Sequence, residues 1–180
     1  RVTKLAAMIK SKKIIPAVVE FYDIAGLVKG ANQGEGLGNQ FLAHIRETQA
    51  IVTVLRLFQN PEIIHVENSV DPVRDLEIIN TELILKDLET VNRRFEKAES
   101  EARSGVQEAA AEHDALLEIK KQLEAGKILT TSESLIPLIR TNKGYNDLNL
   151  LTLKRQIYLL NGRAEDVGKD LLTRMRELGA

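Results

Sequence analysis

The chain has 180 residues, 25 Lys+Arg against 26 Asp+Glu, seven aromatic side chains and no Cys. Near-zero net charge excludes a uniformly basic nucleic-acid binder, and the absence of Cys excludes a disulfide scaffold or a Cys-rich zinc site. The hydrophobic fraction of 43% is enough for a core, no apolar run approaches the ~20 residues of a membrane helix, and no signal peptide is visible.

Residues 2–10 have the spacing of a short amphipathic helix. Ile14 to Tyr22 is an apolar, β-branched run broken only by Glu20, which predicts a buried strand of a parallel sheet. It ends at Asp23 and enters a loop containing Gly26, Gly30, Gly34, Gly36 and Gly38. Asn39 to Thr48 is predicted helical, and Ala50 to Phe58 is a second apolar strand, broken by Asn60-Pro61. Asp71-Pro72 has the form of an N-cap followed by a first-turn proline. Leu76, Ile79 and Leu83, then Ile84, Leu88, Val91, Phe95 and Ala98, recur at steps of three and four. That spacing predicts a long helix with an apolar seam. Ser104-Gly105 interrupts it, and Val106 to Ala125 is a second helix with Leu116, Ile119 and Leu123 on one stripe. Two long helices joined by a short polar turn predict an antiparallel hairpin. Residues 127–149 are mixed, with Pro137 and a turn-rich 142–147. Arg155 to Leu160 is a third strand ending at Asn161-Gly162, and Glu165 to Leu178 a closing helix. Strands alternating with helices predict an α/β fold with a parallel sheet into which the hairpin is inserted. Because the first residue is Arg1 and not Met, the sequence is expected to be a piece of a longer protein.

Charge is uneven: residues 1–60 carry a net +4, 61–85 a net −5, 86–124 a net −3 and 140–180 a net +3. This is either ordinary surface variation or an acidic middle between two segments that face a common anion.

Three short segments can carry chemistry. Asp23-Ile24-Ala25-Gly26 follows a predicted strand, where open α/β sheets bind ligands. An Asp there can hold Mg²⁺ through water, and a Gly three residues on lets a backbone N–H approach a phosphate. The same residues also suit a plain strand-terminating turn. Gly34-Glu35-Gly36-Leu37-Gly38-Asn39 is glycine-rich, but no Lys-Ser or Lys-Thr follows any glycine loop, so it is a switch-segment candidate and not a Walker A loop. Asn161-Gly162-Arg163-Ala164-Glu165 offers an amide for a purine edge and a carboxylate for an exocyclic amine, or else a simple strand-to-helix turn. His44, His65 and His113 have no metal-ligand spacing, and Arg46 suits either a phosphate contact or a surface ion pair.

These segments together resemble the YchF / Obg-like ATPase family of translation-factor-class P-loop NTPases. The resemblance runs through Val18–Val91, above all Glu20 to Ala31, Gly34 to Glu47, Val70 to Asp75 and Asn80 to Leu85, and again, more weakly, through Leu150–Lys154 and Tyr158–Asn161. It implies a P-loop NTPase-like parallel sheet, present in part, with an inserted coiled-coil hairpin. Residues 1–70 are then the switch II part of a nucleotide-binding domain, 71–139 the hairpin, and 140–180 the returning base-recognition strand and helix. The Walker A region and a C-terminal TGS domain would lie outside the chain. The resemblance also implies roles: Asp23 near Mg²⁺ through water, Gly26 on the γ-phosphate, and Leu27 where many GTPases place a water-orienting Gln. Asn161, Gly162 and Glu165 are implied at the base, although Glu165 stands four residues after Asn161 and not three. The implied function is a cytoplasmic, Mg²⁺-dependent ATP- or GTP-hydrolysing switch, ribosome-associated, with no membrane and no direct DNA partner. This chain alone is expected to bind nucleotide poorly. The alternatives are a non-enzymatic hairpin module that binds a partner, and an Obg-type GTPase with guanine preference.

Overall fold

The computed structural model describes residues 1–23, 45–63, 65, 69–104, 107–132, 135–136 and 147–179. Six elements organise them: α1 (Val2–Met8), β1 (Ala50–Arg56), α2 (Pro72–Arg103), α3 (Gln107–Glu124), β2 (Arg155–Asn161) and α4 (Lys169–Glu177). Short 3₁₀ turns lie at Leu129–Thr131, Leu151–Leu153 and Ala164–Asp166.

The two strands pair in parallel, from Ala50 opposite Arg155 to Arg56 opposite Asn161. Their period-two alternation turns Thr53 and Leu55 inward under helical cover. It leaves Val52, Val54, Ile157 and Leu159 exposed on the opposite face. A parallel connection demands a long crossover, and α2, α3 and the turns after them supply it.

The 32-residue α2 would be about 48 Å long at 1.5 Å per residue. Asp71 starts it by accepting from the Val73 and Arg74 N–H groups with Oδ1, each at 3.1 Å, and Pro72 at the first position lacks the N–H that the helix could not bond. Its apolar seam serves three clusters in succession. Val73 and Leu76 pack with Leu55 and Met175. Leu83 packs with Ile45 and Leu151. Ile84, Val91 and Ala98 join Ala115, Leu116, Ile119 and Leu123 of α3. The helix pair is tied outside the seam by Arg94, whose guanidinium bonds both carboxylate oxygens of Glu112. His113 lies beside that seam, its ring centroid 4.7 Å from that of Phe95.

One expected strand is corrected. Residues 14–22 form no strand and no ladder, and Ile15, Val18, Val19, Phe21 and Tyr22 are all exposed. An extended apolar run becomes a strand only beside a partner with free backbone groups. Among the described residues β1 and β2 pair only with each other, and neither outer edge takes up this run. The closing helix is also shorter than its predicted span, because Ala164–Asp166 forms a separate 3₁₀ turn before Gly168 caps α4. Of the predicted helix Asn39–Thr48, only residues 45–47 are described and helical, and the rest lies outside the described residues. No helix among the described residues is long and apolar enough to cross a membrane.

Candidate functional site

The carboxyl ends of parallel strands are where an open α/β sheet meets its ligands. Here that edge is made by Arg56 and Asn161, partners across the sheet. Arg56 fixes the loop after β1. Its Nε donates to the Phe58 carbonyl at 2.8 Å, and its other nitrogens reach the carbonyls of Asn60 and Ile63. The guanidinium also covers the Phe58 ring at 4.6 Å.

Asn161 ends β2 with an exposed side chain, and its carbonyl accepts from the Leu57 N–H at 2.9 Å. Gly162 follows where no larger residue fits. A Cβ there would lie 2.6 Å from the Leu57 Cβ. This glycine lets the two chains converge at the end of the ladder. Next, Arg163 pairs with Glu165 at 2.8 Å and with Asp166 at 3.2 Å. The Arg163 bonds hold the Asp166 carboxyl below the usual carboxylate range and raise the guanidinium in return. Glu165 is exposed, and its carboxylate is engaged by Arg163.

Asp23 is exposed at the end of the unpaired stretch. Among the described residues no hydrogen bond or ion pair joins it to Asn161, Gly162 or Glu165. Gly26, Leu27, the glycines at 30–38 and His44 lie outside the described residues. His65 bonds Asp75 at 3.0 Å, beside the start of α2. No group of three or more His, Asp or Glu among the described residues is placed to hold a metal ion.

A second polar centre, which the sequence did not reveal, lies at the opposite edge, where both strands begin. Asp87 on α2 is fully buried. Its carboxylate accepts from the N–H groups of Leu151 and Thr152, each at 2.8 Å, and from the Thr152 hydroxyl at 2.7 Å. Burial raises its pKa, against those three bonds and the charge of Arg46, which lower it. Lys154 donates to the carbonyls of Arg46, at 2.8 Å, and Thr48. Burial lowers the Lys154 pKa, while the Asp87 charge acts to raise it. The Arg46 guanidinium donates to the Thr90 hydroxyl on α2. It therefore faces the helix. These partners are 44 to 108 residues apart in sequence, so no local spacing announces them.

No protein-family model matches the chain. It is 41% identical over 181 residues to the ribosome-binding ATPase YchF of Escherichia coli O157:H7, covering 100% of this chain and 49% of that relative. It is 39% identical over 184 residues to the ribosome-binding ATPase YchF of Bacillus subtilis strain 168, covering 100% of this chain and 50% of that one. The solved structure of the Schizosaccharomyces pombe YchF GTPase matches with a TM-score of 0.69 and 36% identity, over 98% of this chain and 48% of that chain. The chain spans about half the length of the curated relatives it matches.

Proposed function

We propose, for a chain similar to YchF proteins along its whole length, that it contributes the switch II and base-recognition parts of a nucleotide-binding, nucleotide-hydrolysing switch. The protein carrying it acts on ATP or GTP with Mg²⁺, associates with ribosomes and works in the cytoplasm. Residues 1–70 and 140–180 belong to the nucleotide-binding domain, and 71–139 is an inserted antiparallel coiled-coil hairpin. The observation that carries this reading is the parallel pairing of β1 and β2, whose carboxyl edge presents Asn161.

Asp23 suits an outer-shell magnesium ligand. It is a single exposed carboxylate without an ion pair among the described residues, as befits an ion that keeps most of its waters. Bound Mg²⁺ would neutralise phosphate charge. Gly26 brings a backbone N–H to the γ-phosphate, and Leu27 adds no hydrogen bond to the attacking water, which other groups must orient. Asn161 reads the base. Gly162 serves that role indirectly, by letting the strand end close on Leu57. Glu165 is exposed and pairs with Arg163 through Oε1, which leaves its other oxygen to accept from a base amine, and the position three residues after Asn161 is Ala164, which has no carboxylate. Purine discrimination here rests on Asn161 with Glu165 beside it.

No G-x-x-x-x-G-K-[ST] loop occurs in the 180 residues, so the backbone cradle and lysine that supply most phosphate binding must come from elsewhere in the protein. Calorimetry of the 180 residues with Mg-ATP is expected to give no tight binding, and tight binding would overturn that part of the reading. In the protein carrying this chain, ATP and GTP compete for one site, and Asn161→Ala weakens both. An unchanged affinity for both nucleotides in that variant refutes the assignment of Asn161.

A further inference from the structure

Helix α2 runs against the direction of the strands. Its first turns pack near the carboxyl end of β1, through Val73 and Leu76 on Leu55. Leu83 then meets Ile45 and Leu151, just before both strands begin. Beyond that point the helix leaves the sheet and pairs with α3.

Asp87 and Thr90 stand one turn apart at this exit, and a closed ring of bonds passes through them. Asp87 holds the Leu151–Leu153 turn through two N–H groups and a hydroxyl. That turn has no side-chain cap of its own, so Asp87 acts as its cap from another element. Lys154, at the end of the turn, holds the carbonyls of Arg46 and Thr48. Arg46 then returns to α2 through Thr90. The next residues along the chain start the two strands, Arg155 directly after Lys154 and Ala50 two after Thr48. Asp87 is the fully buried member, so losing its donors would leave a carboxylate in an apolar setting, while Lys154 and Arg46 are half-buried.

We infer that this ring is a mechanical joint that couples the 45–48 turn and both strand starts to the tilt of the α2–α3 pair. Its use as a relay of nucleotide state rests on the switch reading given above, whereas the joint exists without nucleotide. Breaking one bond of the ring frees the distal half of α2 to tilt against the sheet. The 13 residues from Thr90 to Arg103 span roughly 20 Å, so a tilt of about 15° displaces the helix end by about 5 Å.

The absence of Cys makes the test direct, because introduced cysteines take spin labels selectively. Nitroxides at Arg103→Cys and Lys169→Cys report the helix pair against α4. Nitroxides at Arg103→Cys and Lys121→Cys report within the pair. Distances are measured by pulsed electron resonance on the full chain without nucleotide, for the parent sequence and for Lys154→Met and Thr90→Val. The Thr90 change keeps the side-chain shape and guards against misfolding of the Lys154 variant. The joint predicts a shift or broadening of about 5 Å in the 103–169 distance while the 103–121 distance stays fixed. An unchanged 103–169 distance in both variants overturns it. Equal broadening of both distances, the mark of general loosening, overturns it as well. Failure of ATP and GTP to bind the longer protein that carries this chain would remove the relay and leave these distances unaffected, so the two readings fail separately.

Discussion

Gly162→Ala tests whether this glycine is set by packing or by ligand chemistry. The new methyl would lie 2.6 Å from the Leu57 Cβ and 3.2 Å from its Cγ and Cδ1. The nearest clash is with an atom fixed to the backbone, so a rotamer change of Leu57 cannot remove it. The two chains must separate by several tenths of an ångström. This strains the Leu57 N–H bond to the Asn161 carbonyl, now 2.9 Å. Overpacking of this kind costs about 1–3 kcal/mol. Gly162 has no positive φ, so alanine adds no backbone strain and stiffens the unfolded chain, which returns about 0.4–1 kcal/mol. The expected net loss is about 1–2 kcal/mol, read as a lowered urea midpoint at unchanged m-value. A variant as stable as the parent, or more so, refutes the packing argument. In that case a ligand-side reason for glycine would have to be sought.

Two further outcomes follow from the core and the buried carboxylate. Leu116→Ala empties a position that is 0% exposed in the α2–α3 seam and is expected to cost about 3 kcal/mol, or roughly 6–12 °C in melting temperature by calorimetry; a loss below about 1 kcal/mol would show that the seam collapses to fill the space. Asp87 has a folded pKa raised by burial, so the stability gained from its protonated form is present below the ordinary carboxylate range and lost as pH rises through the folded value. Relative to Asp87→Asn, which does not titrate, the parent is therefore expected to lose stability as pH climbs from about 4 in a series of urea midpoints. The lowered pKa of Lys154 acts on the alkaline side, outside that window. A parent that gains on the variant across the same range contradicts the dominance of burial over the three hydrogen bonds.

Local chemistry and periodicity determined a good part of this molecule. The Asp71-Pro72 start of α2, the apolar seam from Leu76 to Ala98 and the stripe at Leu116, Ile119 and Leu123 follow from rules that act within a few residues, and the helices form where those rules place them. The strands at Ala50 and Arg155 were legible for the same reason, and so was the resemblance along 18–91. Tertiary structure decided the rest. Ile14 to Tyr22 has a strand's composition and no strand's pairing, because a ladder needs a neighbour that composition does not supply. The Leu57 side chain that excludes a Cβ at Gly162 lies more than a hundred residues away in the chain, so no local pattern announces that contact. No local pattern in the sequence singles out Asp87 or Lys154, and Arg46 alone suits either a phosphate contact or a surface ion pair. Only the packing of α2 across the starts of both strands brought them together, buried Asp87 fully with three donors to its carboxylate, and left Arg46 and Lys154 half-buried.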